Sequence, residues 1–168
     1  MKTRSIGSTL ALLGALAAFG ACSKGPVTPA EHLSAANAAR DGGDHAAAFD
    51  LYRAVAEWKG EGTVEKNDAF IAELESVKCQ VSLGQAPEAV AAYKKMFGSH
   101  DGTYKDTLAV LSALVNKKAD PMVSIDLLGF ATEKHPEQKE NFAKLVKKIE
   151  AQGLSSEAMA KLGELGYL

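Results

Sequence analysis

Asp44-His45-Ala46-Ala47-Ala48-Phe49-Asp50-Leu51-Tyr52-Arg53-Ala54-Val55 is the stretch that decides the fold. Ala48, Tyr52 and Val55 fall on one face of a helix, because residues four and then three positions apart stack above one another at 3.6 residues per turn. Asp44 suits an N-cap, and Gly43 before it suits the end of a preceding helix. The same punctuation continues outward in both directions. Thr28-Pro29-Ala30-Glu31 combines a capping threonine, proline at the first helical position and a glutamate that can reach back to the cap. Asp120-Pro121 repeats the cap-then-proline start, while Gly84 and Gly153 stand where helices stop. No alternating polar and apolar run competes with this pattern, so the chain is expected to be all-α. Helices are predicted over 29–41, 45–58, 64–83, 87–97, 104–118, 121–134, 137–151 and 155–165.

The small-large-small pattern recurs as Ala89, Tyr93 and Met96, as Ser124, Leu128 and Ala131, and as Ala158, Leu162 and Leu165. Successive offsets are 41, 35 and 34 residues. Pro136 follows Ala131 by five positions, and Phe142-x2-Leu145-Val146-x2-Ile149 fills the preceding helix of the fourth unit. Ala35-Ala36-x2-Ala39 and Leu111-Ser112-x2-Val115 take the corresponding places in units one and three. This arrangement resembles the tetratricopeptide repeat, a helix–turn–helix unit of about 34 residues. The resemblance implies an α-solenoid over 29–168, a stack of about four antiparallel helical hairpins. Packing supplies the reason: a small residue lets two helices approach, a large one fills the groove beside it, and a single pair cannot bury its apolar face alone. Unit two departs from the pattern at Gln80 and through an insertion around Gly60 to Lys66. A generic stack of helical hairpins is the other reading of the same residues.

The family geometry places the first helix of each hairpin along a concave surface. There it implies Leu33, Asn37 and Arg40 from unit one, Ile71, Leu74 and Lys78 from unit two, and Ala109, Asn116 and Lys117 from unit three. Unit four would add Lys147 and Glu150. In some family members an Asn and basic residues at such places hold a peptide's terminal carboxylate through charge-assisted hydrogen bonds. Asn37, Arg40, Lys78 and Lys117 match that chemistry, whereas Leu33 stands where such a clamp carries a base. Ordinary solvation of these polar side chains is the alternative.

The first residues read differently. Lys2 and Arg4 precede an uncharged run, Ser5 to Ala21, rich in Ala, Leu and Gly. It is short for a bilayer span of ~20 residues, and it ends in small residues, as a secretory signal peptide does. Phe19-Gly20-Ala21-Cys22 resembles the lipobox of bacterial lipoproteins. That resemblance implies removal of the signal peptide, residues 1–21, and acylation of Cys22, with residues 22–28 forming the lipidated cysteine and a short tether. Ser23 after the cysteine implies the outer membrane, and Phe19 replaces the family's usual Leu. An ordinary cleaved signal, with Cys22 an incidental thiol, is the alternative. At ~3.5 Å per extended residue the tether reaches under ~20 Å, so the folded part would lie close to the headgroups.

The 168 residues are 46% hydrophobic, 24% charged and 7% aromatic, which excludes disordered and collagen-like classes. The formal net charge is −2; loss of Lys2 and Arg4 would leave 17 basic against 21 acidic residues, or −4. Neither value favours nucleic acid, which needs a clustered excess of Lys and Arg. The lysines at 139, 144, 147 and 148 interleave with Glu140 and Glu150 and read as a solvated helix face. No His-x3-His, Cys-x2-Cys, phosphate loop or nucleophile elbow occurs. Asp41-Gly42-Gly43-Asp44-His45 carries metal-ligand residue types, but turn glycines and a capping Asp44 explain it as an inter-helix loop. Cys79, among Val77, Val81 and Leu83, reads as a small buried core residue. Tyr167 and Leu168 are expected to cover the open end of the last hairpin or to dock on a partner.

Together these readings predict a lipid-anchored scaffold on the periplasmic side of the bacterial outer membrane. It would bind a protein or peptide of the envelope, contact the membrane through N-terminal lipid alone, and have no cofactor and no catalytic residues. The alternative is a periplasmic metal-binding or enzymatic helical-hairpin protein that uses the Asp41–His45 loop.

Overall fold

The computed structural model describes residues 28–60, 62–100 and 102–168. Residues 1–21 and Cys22, the expected signal peptide and lipidation site, lie outside them. Among the described residues the chain forms eight α-helices and no strand. They are α1 Pro29–Asp41, α2 His45–Ala56, α3 Lys66–Ser82, α4 Ala86–Ser99, α5 Tyr104–Asn116, α6 Pro121–Lys134, α7 Lys139–Glu150 and α8 Ser156–Glu164. The expected helix over 137–151 is divided, a 3-10 turn at Pro136–Gln138 leading into α7. Helix α4 runs past the expected stop at 97 and through Gly98, and the His100 amide donates to the Met96 carbonyl at 3.1 Å.

The caps act where the sequence put them. Thr28 Oγ1 accepts from the Glu31 amide at 3.2 Å while the Thr28 amide donates to Glu31 Oε2 at 3.0 Å, the reciprocal capping box that opens α1. Asp44 accepts from the Ala47 amide at 3.0 Å, and Asp120 from the Met122 amide at 2.9 Å. Helices α1, α3 and α5 end alike, with an amide donating to the carbonyl five residues back: Asp44 to Ala39, Gln85 to Gln80, Ala119 to Leu114. The motif needs one residue in the left-handed region. Gly43 (φ 84°) and Gly84 (φ 80°) provide it cheaply, but the third case is Lys118 (φ 53°), which no glycine rule would find.

The recurring sequence positions are the interior, except that Leu165 is only partly buried. Ala48, Tyr52, Val55, Ala89, Tyr93, Met96, Ser124, Leu128, Ala131, Ala158 and Leu162 are all buried, as are Phe142, Leu145, Val146 and Ile149. They form two clusters joined through α3. One face of α3, Ala72 and Cys79, packs with Ala36 of α1 and Ala48, Tyr52 and Val55 of α2. The other, Val77 and Val81, joins the larger cluster that α4 to α8 build. Each large tyrosine keeps a polar partner. Tyr52 Oη donates to Asn37 Oδ1 at 2.6 Å, and the Tyr93 and Thr107 hydroxyls lie 2.7 Å apart.

Helix neighbours in space are mostly one or two helices apart in the chain. α1 packs on α2, α2 on α3, α3 on α4 and α5, α4 on α6, α5 on α6 and α7, and α6 on α7 and α8. Just before the insertion expected around Gly60 to Lys66, the Trp58 ring meets His32 of α1 edge-on at 5.2 Å. Gly60 is required there, since a Cβ would approach the Trp58 ring to 2.6 Å. Tyr167 packs on the larger cluster, with its hydroxyl 2.8 Å from that of Thr132, and leaves Leu168 exposed. Of the two residues expected to cover the last hairpin or to dock on a partner, only Tyr167 is packed down.

Candidate ligand-binding groove

Three helix ends meet at a groove of about 220 Å³. Helix α1 supplies Arg40 in its last turn, α3 supplies Glu75, Lys78 and Cys79, and α5 supplies Asn116, with Lys117 immediately beyond it. His45, the first residue of α2, completes the wall. Placing Arg40 and Lys117 at helix C-termini is electrostatically sensible, because the exposed carbonyls there carry partial negative charge.

Glu75 organises the cations. Its Oε2 lies 3.1 Å from Arg40 Nη1, and its Oε1 2.6 Å from Lys78 Nζ, so each carboxylate oxygen takes one cation. Arg40 Nε and Nη2 also donate to Asp41 Oδ1 at 3.0 and 2.9 Å. Burial pulls the Arg40 pKa down, but the hydrogen bonds to Asp41 and Glu75 outweigh it and leave the guanidinium above its usual value. Lys117 is exposed and makes no ion pair among those of the described residues. His45 Nδ1 is buried and has no hydrogen-bond partner among the described residues.

Of the residues expected on the concave surface, Arg40, Lys78, Asn116 and Lys117 come together in this groove. Asn37 is held by Tyr52, Leu33 packs on the smaller cluster and Leu74 on the larger one. Ile71 is exposed, away from the groove lining. Sequence reading missed Glu75, which pairs with the cations, and His45, which lines the same groove. Glu75 had a signal, since it precedes Lys78 by three residues on one helix. His45 had none beyond its place in the loop.

The donors of the Asp41–His45 loop diverge: Asp41 faces Arg40, Asp44 caps α2 and His45 turns to the groove. Among the described residues no three His, Cys, Asp or Glu side chains converge as a metal site. His100 lies 3.5 Å from Glu73 and edge-on to Phe70 at 5.4 Å. Cys79 is 2% exposed, and burial, helped by the Glu75 carboxylate, pushes its thiol up to about 11. That is the opposite of the depressed pKa of a reactive thiol.

The same burial makes the fold sensitive to alkali. Burial also pushes the Tyr52 and Tyr93 hydroxyls from 10.0 up to about 12. Between 10 and 12 the unfolded chain releases these protons while the native chain keeps them, so stability is complete below pH 10 and falls as pH rises toward 12. Cys79 adds the same loss from 9.0 to about 11. Thermal melts should therefore show Tm constant from pH 7 to about 9 and falling steeply above; a flat profile to pH 11 would contradict the buried, protonated tyrosines.

Among the described residues no helix is long and apolar enough to cross a membrane. Comparison with protein-family models, with curated proteins and with solved structures finds no match for the chain.

Proposed function

We propose that this chain is a lipid-anchored periplasmic protein of the bacterial cell envelope. It acts as a scaffold that binds a protein or peptide through a tetratricopeptide-like stack of four hairpins, α1–α2 to α7–α8. The order of helix neighbours supports the stack for the first three pairs: α1, α3 and α5 each meet their own second helix, α3, α5 and α7 meet in sequence, and second helices α4, α6 and α8 touch in sequence, while α8 packs on α6. The burial of the small-large-small positions supports it as well. The observation that carries the function is the groove, where α1, α3 and α5 present Arg40, Lys78, Asn116 and Lys117 together. Anchoring rests on the lipobox-like Phe19-Gly20-Ala21-Cys22.

The test is capture of an envelope partner by detergent-solubilised protein carrying a cross-linker. Arg40 and Lys78 are poor positions to reverse, because both hold Glu75 and their loss would disturb the fold. Asn116 and Lys117 are exposed, and Asn116→Asp with Lys117→Glu should leave Tm within about 2 °C, the range for surface changes. The same double variant should lose most of the captured partner. Capture unchanged in the variant would exclude this groove as the binding surface.

A further inference from the structure

We infer that the α1–α2 hairpin rocks as a rigid body about its seam with α3, and that the Arg40–Glu75 ion pair is the catch that holds it. The functional consequence rests on the scaffold reading, because rocking sets the width of the groove; the motion itself needs no ligand. Later units are joined twice. Their first helices pack in sequence, α3 on α5 and α5 on α7, and so do their second helices, α4 on α6 and α6 on α8. The first unit lacks both joints, since neither α1 with α3 nor α2 with α4 is a packed pair. A cleft of about 260 Å³ stands in place of the α2–α4 joint, with Phe49 and Arg53 on one wall and Ala92 and Lys95 on the other.

What remains is the seam of α2 on α3. It gathers Ala48, Tyr52 and Val55 of α2 with Ala72 and Cys79 of α3, and small residues let two helices approach closely along one line. A single close seam with open space beside it is an axis, and rotation about it shifts packed helices without unfolding them. The hairpin moves as one piece, because α1 packs on α2 and Tyr52 Oη donates to Asn37 Oδ1 at 2.6 Å. Helix α3 stays behind, fixed in the larger cluster by Val77 and Val81. On the groove side one ion pair opposes the rotation: Arg40 Nη1 lies 3.1 Å from Glu75 Oε2, the two side chains 34% and 15% exposed. Its release lets α1 move away from α3 and α5. That widens the groove between Arg40 and His45 on the hairpin and Asn116 and Lys117 beyond it. The same rotation carries α2 into the cleft toward α4, so groove and cleft are coupled with opposite sign.

The experiment places pairs of spin labels on the full chain carrying Cys22→Ser and reads their separation by pulsed electron resonance. Cys79 stays unlabelled at pH 7, being 2% exposed with its thiol pushed up to about 11 by burial. Ala38→Cys with Lys117→Cys spans the groove, and Asp50→Cys with Ala91→Cys spans the cleft. Lys117→Cys with Lys148→Cys is the control across the packed α5–α7 joint, and all five positions are exposed. Raising salt to about 1 M, where the Debye length is ~3 Å, weakens the catch, and Arg40→Met removes it. Either change should lengthen the groove distance by more than the ~1–2 Å through which packed helices slide, shorten the cleft distance, and leave the control within that slide. The salt arm keeps the native ion pair, so the result does not hang on the folding of Arg40→Met. Distances fixed in both pairs, changes of the same sense in both, or a control that moves as far overturn the inference. No partner is present, so those outcomes leave the capture experiment above to decide the scaffold reading on its own.

Discussion

Tyr93→Ala should lower the free energy of unfolding by about 3–5 kcal/mol, the range for removing a large aromatic from a closed core. Tyr93 is fully buried in α4, its ring centroid 6.1 Å from that of Phe97 and 6.4 Å from that of Phe130. Truncation removes those contacts and leaves the buried Thr107 hydroxyl without its partner 2.7 Å away. Tyr93→Phe, which keeps the ring, should lose only about 1 kcal/mol. Since domains of this size are stable by roughly 5–15 kcal/mol, the alanine variant should be partly unfolded at 37 °C, read as a lowered urea midpoint with an unchanged slope. Near-equal midpoints for the two variants would contradict the packing around α4. The matching change in the smaller cluster, Tyr52→Ala, separates a stack from a single cooperative globule. In a stack each unit touches only its neighbours, so α1 and α2 should lose amide protection while α5 to α8 keep theirs; uniform loss would exclude the stack.

Cys22→Ser should move the protein from the membrane fraction to the soluble one almost completely. Each buried methylene contributes ~0.8 kcal/mol and stable attachment takes more than one acyl chain, so a chain that is cleaved but not acylated loses the attachment that the lipobox resemblance implies. Among the described residues no helix offers a span. The exposed Lys144, Lys147 and Lys148 of α7 are the competing source of attachment to anionic lipid, and that attachment is screened by salt. Fractionation is therefore measured with and without a wash at about 1 M salt, where the Debye length is ~3 Å. A Cys22→Ser protein that stays in the membranes through that wash would refute lipid anchoring; one released by salt alone would transfer the attachment to α7.

Local chemistry explains why so much of the fold could be read beforehand. Thr28 with Glu31, Asp44 with Gly43, and Asp120 with Pro121 act within a few residues of themselves, so their sequence is their structure. The spacing of Ala48, Tyr52 and Val55 likewise fixes a helix face before any partner is known. Lys118 shows the limit. It takes the left-handed conformation that glycine takes at 43 and 84, because the α5–α6 connection requires that closure and not because lysine favours it.

The groove was legible only in part, for a related reason. Arg40, Lys78, Asn116 and Lys117 lie toward or just past the C-terminal ends of α1, α3 and α5, and those ends meet at the groove. What each cation pairs with depends on distance between helices. Glu75 is three residues from Lys78 but 35 from Arg40, and only the approach of α3 to α1 lets one carboxylate hold both. The division of the core has the same origin: the helical period puts Val77 and Cys79 on opposite sides of α3, but which cluster each side meets depends on the neighbouring helices.

The sequence by itself determined the helices, several of their caps and most of the residues they bury, because capping and 3.6-residue periodicity are short-range. Only the tertiary structure decided which charges meet, since ion pairing and burial depend on separations across helices. That is how three cations spread over 78 positions of chain came to line one groove around Glu75.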